Sequence, residues 1–216
     1  CRIRKCMQYG ASFDDYENIM TTRNGGDYAC SWLLGNINTN EIMLFELGLL
    51  EKNITKTKNG AFYGMNVALG RNIREKETAD KDLNNRETSS GNRNLRFNDL
   101  LFHDYQGKIN VENSKKIISD HYDTSLQGFR RNSIGICKHD EFDGKHSGTP
   151  NFMCGSTDAK VVNTDMAKLL AFQGRFGSGC GRTFSIGDHL KKYPQYEEWR
   201  TVVDNIPLYN WTTIQP

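Results

Sequence analysis

Apolar and polar positions change their rhythm several times along the chain, and each change predicts a different kind of element. Ile3, Cys6 and Met7 fall on one side of a helical projection over 2–9, so this segment reads as the tail of an amphipathic helix. A second short helix follows, with Ser12 as N-cap, Asp14 and Asp15 in its first turn, and a stop at Asn24-Gly25-Gly26. Short β-type runs then appear at 28–34, 41–47, 53–57 and 61–67. Gly35-Asn36, Asn38-Thr39-Asn40 and the hairpin signal Asn59-Gly60 separate them, which predicts a four-stranded antiparallel meander.

The segment 71–92 is polar and nearly free of large apolar residues, so it predicts a long exposed loop. Helical periodicity returns over 95–105 and over 111–122, the latter opened by Asn110 with Glu112 in its first turn. Strands are expected at 133–137 and 159–162, and a further one at 168–172. Between them, 140–157 is a loop rich in Gly, Ser and Pro. The four glycines of 174–181 predict a tight turn or close strand crossing, and a last short helix is expected around 188–192. The pattern as a whole predicts an α+β fold in one domain over 1–216, an antiparallel sheet with helices packed on it.

Composition narrows the function classes. Twenty-eight basic and 26 acidic residues give a formal charge of +2, so there is no basic field for nucleic acid. With 37% hydrophobic residues and a mean hydropathy of −0.68, the core is modest, and no apolar run approaches the roughly 20 residues that cross a bilayer. The six cysteines, Cys1, Cys6, Cys30, Cys137, Cys154 and Cys180, contain no C-x-x-C pair, which argues against zinc ribbons and thioredoxin-like sites and leaves free thiols or disulfides open. Sequons at Asn53 and Asn210 would permit glycosylation in a secretory compartment.

Several chemical motifs fail on inspection. Gly144-Lys145-His146 lacks the Ser or Thr that a phosphate loop needs after its Lys. His103, His121, His139 and His189 each lie near an Asp, but no two share the i, i+4 spacing of a helical metal face, so they read as solvent-facing or locally hydrogen-bonded. No G-x-S-x-G elbow seats a serine nucleophile. Two residues stand out instead. Asn66 closes an apolar run, where an amide N–H suits a developing oxyanion, although it also reads as the start of a loop. Arg93 sits near the start of a helix, against the dipole, which suits an anionic partner or an ordinary surface position.

The stretches RKCMQY (4–9), GDYACSWLLG (26–35), NEIMLFELG (40–48), DAKVV (158–162) and NWTT (210–213), in this order, resemble the C-terminal portion of phospholipase B-like proteins among the N-terminal-nucleophile (Ntn) hydrolases. The acyl-coenzyme A:6-aminopenicillanate acyltransferases are more distant kin. The resemblance implies an αββα sandwich and a Cys nucleophile released by autocleavage. It also implies acyl transfer to water from a small amide, ester or lipid, with no metal or organic cofactor.

It matches Asn66 to the family's oxyanion Asn, and Arg93, in Ser90-Gly91-Asn92-Arg93, to its supporting Arg. Relatives carry Asn where this chain has Cys30. Family nucleophiles precede a small residue and a strand, whereas Arg2-Ile3-Arg4-Lys5 follows Cys1. The nucleophile is therefore expected on an upstream segment or partner chain of the same protein. A compact amidase using Cys1 itself and a non-catalytic binding module on the same fold are the alternatives. The expected setting is secreted or lysosomal, with a bacterial origin equally compatible.

Overall fold

The computed structural model describes residues 2–26, 28–79, 81–142 and 156–216. It is α+β, mixing short helices with small antiparallel sheets, and it divides into two compact units, one up to Leu83 and one from Asn84. No helix among the described residues is long and apolar enough to cross a membrane.

The first unit opens with α1 (Arg2–Tyr9) and α2 (Phe13–Thr21). Ser12 caps α2 by accepting from the Asp15 N–H at 3.2 Å, while the Asp15 carboxylate accepts from the Ser12 N–H at 2.9 Å, a reciprocal capping box. Gly10 joins the helices because a Cβ there would stand 2.6 Å from the Tyr16 ring and 2.7 Å from the Cys6 carbonyl. The meander has three strands: β1 (Cys30–Asn36), β2 (Glu41–Leu47) and β3 (Lys52–Thr57). Trp32, Phe45 and Ile54 form one cross-strand row. Met43 and Phe45 of the central strand are fully buried with Cys6, Phe13 and Met20 from the helices, so one face of the sheet carries the helical layer.

On the alternate row, Ser31, Glu46 and Asn53 stand side by side. Glu46 is buried and satisfied: it accepts from Ser31 Oγ at 3.1 Å, Asn53 Nδ2 at 2.9 Å, and the N–H groups of Leu69 and Gly70 at 2.7 and 2.6 Å. This carboxylate pins the backbone at Leu69 and Gly70, just past the run 61–67 expected as a fourth strand. The run 61–67 instead is irregular, with only a bridge between Met65 and Val67. The same geometry occupies the Asn53 amide nitrogen, whereas Asn210 is exposed.

The polar stretch 71–92 departs from the expected loop. It contains α3 (Arg71–Glu77) and the first turn of α4 (Ser89–Asp99). Only Ile73 of α3 is buried. The helix is held at its end by the Glu77 carboxylate, which accepts from the N–H groups of Leu49, Leu50 and Glu51 in the β2–β3 turn. In α4, Thr88 caps the Gly91 N–H at 3.0 Å, and the buried face is made of Ser90, Gly91, Asn92 and Asn94, so hydrophobic periodicity could not mark it. A Cβ at Gly91 would lie 2.0 Å from the Asn85 carbonyl oxygen.

In the second unit, α4 runs on into one π-helical turn over Leu100–Asp104. Next come α5 (Val111–Ile118), the two-residue strands β4 (Tyr122–Asp123) and β5 (Gly128–Phe129), then β6 (Asp158–Val161), α6 (Thr164–Lys168), β7 (Phe172–Phe176), α7 (Ile186–Lys192), a 3₁₀ segment over Pro194–Thr201, and β8 (Thr212–Ile214). Sheet order is β6-β7-β8, all antiparallel. Residues 133–137, expected as a strand, form a bend, and α5 stops four residues before 122. The glycines begin inside β7 rather than in a turn, and 168–172 contributes to it only Phe172.

Candidate metal centre

Four side chains from three loops of the second unit converge. His121 precedes β4, Cys137 and His139 lie in the bend after β5, and Cys180 follows β7. Their ligating atoms all lie within 4.8 Å of one another. His139 Nε2 is 3.1 Å from His121 Nε2 and 3.5 Å from each of Cys137 Sγ and Cys180 Sγ. Cys137 and His139 are almost wholly buried, at 1% and 2% exposure, while His121 and Cys180 are half-buried.

The backbone fixes these loops from several sides. Arg96 holds Asp120 through two 2.9 Å bonds, and Asp120 Oδ1 also accepts the Tyr122 N–H, so both flanks of His121 are set. The Asp120 carbonyl accepts the Cys137 N–H at 3.0 Å, and the His121 carbonyl accepts the Arg130 N–H at 2.9 Å. Asn132 turns the chain towards Cys137: its Oδ1 accepts from Ile134 and Gly135, its Nδ2 donates to Asp123 at 2.6 Å, and its carbonyl accepts the His139 N–H at 2.8 Å. Cys180 sits in a turn closed by Gly181 N–H to the Ser178 carbonyl, with Gly177 and Gly181 at φ of +76° and +75°.

Tetrahedral zinc, with Zn–S of about 2.3 Å and Zn–N of about 2.0–2.1 Å, requires N to N of about 3.3 Å and N to S of about 3.5 Å. The three separations from His139 Nε2, 3.1, 3.5 and 3.5 Å, lie close to that requirement, and the remaining ligand pairs lie within 4.8 Å of one another. The outer shell matches as well. His139 presents Nε2 to the cluster, and its Nδ1 lies 2.9 Å from Glu141 Oε1, the carboxylate–histidine arrangement that fixes a metal-binding imidazole. Arg182 stands 3.5 Å behind that carboxylate and stacks on Phe142. A cavity of about 650 Å³, lined by Arg96, Leu100, Asp104, Asp120 and His121, reaches the half-buried side.

Without a cation, four donors this close must share protons. A hydrogen bond from Cys137 pushes the Cys180 thiol well below its ordinary range, helped by His121 and His139, and correspondingly pushes Cys137 up. Burial lowers the His139 pKa, but Cys180 and Glu141 outweigh it and the net direction is up. A divalent cation held by His121, Cys137, His139 and Cys180 would replace this proton sharing with metal–ligand bonds.

Sequence patterning missed this site: of the histidines expected to be solvent-facing or locally hydrogen-bonded, His121 is half-buried and His139 is buried, with its Nδ1 bonded locally to Glu141. Local spacing carried only Cys137-x-His139. His121 lies 18 residues before His139 and Cys180 lies 41 after it, so the fold alone brings them together. His189, likewise buried, packs among Phe184, Tyr193, Tyr196 and Trp199, whereas His103 is exposed.

Of the three residues singled out for acyl chemistry, Cys1 lies outside the described residues. Asn66 is exposed in the first unit, between the bridged Met65 and Val67. Arg93 belongs to α4 in the second unit, where its Nε donates to the Ser89 carbonyl at 3.0 Å and burial lowers its pKa. Cys30, at the variant position of the family pattern, begins β1 as a free thiol. No family model, curated protein or solved structure matches the chain.

Proposed function

We propose that the second unit binds one zinc ion through His121, Cys137, His139 and Cys180, as a structural centre. The observation that carries this reading is the set of 3.1, 3.5 and 3.5 Å ligand separations around His139 Nε2. Two thiolates and two imidazoles in tetrahedral spacing favour zinc over the oxygen-seeking cations. Four protein ligands close the coordination shell, so the metal holds loops together rather than activating water. Elemental analysis of the purified chain tests it. One zinc per chain is expected, lost in Cys137→Ser and in His139→Asn and kept in Cys30→Ser. A metal-free wild-type protein under zinc-replete conditions contradicts it.

We propose further that this zinc-organised chain serves as the C-terminal part of an Ntn acyl hydrolase, its sheets belonging to an αββα sandwich. Support comes from the resemblance, whose stretches at 26–35, 40–48 and 158–162 fall largely on β1, β2 and β6, and from Arg93, which is half-buried with its pKa lowered by desolvation. A guanidinium partly withdrawn from water suits anion recognition more than a fully solvated one does. In this reading an upstream Cys attacks the acyl carbonyl with its α-amine as base, and the resemblance assigns the oxyanion role to Asn66 and a supporting role to Arg93. The complete protein assayed on acyl amides and esters tests it: Asn66→Ala should lower kcat by about 10²–10³-fold. Unchanged turnover in both Asn66→Ala and Arg93→Ala rules it out in favour of a binding module.

A further inference from the structure

Two of the four zinc ligands are thiols of very different accessibility. Cys137 is 1% exposed and its backbone is tied to Asp120. Cys180 is half-buried, its Sγ 3.3 Å from Ser178 Oγ, on a turn whose two flanking glycines take conformations other residues rarely adopt. The two sulfurs lie within 4.8 Å of each other. A disulfide needs them at about 2.05 Å with Cβ atoms about 3.5–4.5 Å apart, a side-chain rotation away from a shared tetrahedral site. Cys6 and Cys30, the other described thiols, belong to the first unit.

From this asymmetry we infer that Cys180 is a site of reversible oxidation, and that its disulfide with Cys137 releases the zinc. The inference rests on the zinc reading. A hydroperoxide is attacked by the Cys180 thiolate: an S–O bond forms, the O–O bond breaks, and the sulfenic acid and an alkoxide or hydroxide result. The Cys137 thiolate then attacks Cys180 Sγ, forming the S–S bond and expelling hydroxide. The two sulfurs together lose two electrons, the peroxide gains them, and the two anions released take two protons from water. His121 and His139 are left as the only ligands, too few to hold zinc, which departs as the hydrated ion. A dithiol reverses the reaction and restores both thiolates.

Exposure decides the order. The half-buried Cys180 meets the oxidant and the almost wholly buried Cys137 resolves it, which protects Cys180 from irreversible over-oxidation.

The test uses the full chain with its zinc content measured first, then treated with hydrogen peroxide in the presence of a chromogenic chelator. One zinc should appear per Cys137–Cys180 disulfide found by non-reducing peptide mass mapping, and dithiothreitol with added zinc should restore the starting content. Cys180→Ser loses a ligand and can lose the metal for that reason alone, so Cys180→His is the informative variant. It keeps four donors and lacks the reactive sulfur, and its zinc release should be at least about tenfold slower. Zinc retained under peroxide, sulfinic or sulfonic acid on Cys180 without the disulfide, or equal release from Cys180→His would overturn the inference while leaving the zinc site intact. Absence of zinc before any oxidant is added overturns the parent reading and this one with it.

Discussion

The two units solve the problem of a small core in opposite ways. Residues up to Leu83 bury Phe13, Met20, Met43 and Phe45 between two helices and a meander, and Glu46 is the only buried polar residue of that unit among those described. From Asn84 onwards the buried set is largely polar, including Asn92, Asn94, Asp123, Thr124, Asn132, Ser133 and His139. Apolar burial is non-directional and tolerates approximate packing. A polar core holds only if each group finds its partner, and removing one partner leaves the rest exposed to a full desolvation cost. The first unit is therefore expected to stand on hydrophobic burial, and the second on a network that converges on one metal.

Chelation should break this comparison most sharply. Structural zinc contributes apparent binding energies of about 10–16 kcal/mol in small zinc modules, so EDTA or Cys137→Ser should unfold the second unit while the first keeps its structure. Limited proteolysis reads this directly, with new cleavage after Asn84 and none in β1–β3. The reciprocal change is Phe45→Ala, which opens the centre of the first core at about 3–5 kcal/mol and should leave zinc stoichiometry at its wild-type value. Denaturant unfolding beside elemental analysis separates the two effects.

Glu141→Gln sharpens the picture at the second unit. It keeps the shape beside His139 but weakens the hold on Nδ1, and zinc affinity measured by chelator competition should fall about 10–100-fold. Ser12→Ala removes the capping box of α2 and should cost the first unit about 1 kcal/mol in denaturant melts, with metal affinity unchanged.

The same contrast governs what could be read in the sequence. Helices α1 and α2 and strands β1 to β3 are marked by apolar spacing and by turn residues such as Asn36, whose Oδ1 accepts the Asn38 N–H at 2.9 Å. The run 61–67 carries strand-like residues but forms only the Met65–Val67 bridge, and no local pattern could reveal the carboxylate that arrives from β2 to hold Leu69 and Gly70 just beyond it. In the second unit, α4 buries Gly91, Asn92 and Asn94, which hydropathy reads as exposed loop. The proposed metal ligands come from three loops far apart in the chain, so neither C-x-x-C nor i, i+4 spacing announces them. A His and a Cys each alone, distant from a C-x-H pair, carry chemistry only once β4 and β7 have placed them.

The most direct test of the account is X-ray absorption at the zinc edge on the purified chain. It predicts a four-coordinate first shell of two nitrogens at about 2.0–2.1 Å and two sulfurs at about 2.3 Å, collapsing when Cys137 or Cys180 is replaced by Ser. A zinc-free protein, or a shell of light atoms alone that both substitutions leave unchanged, would contradict it.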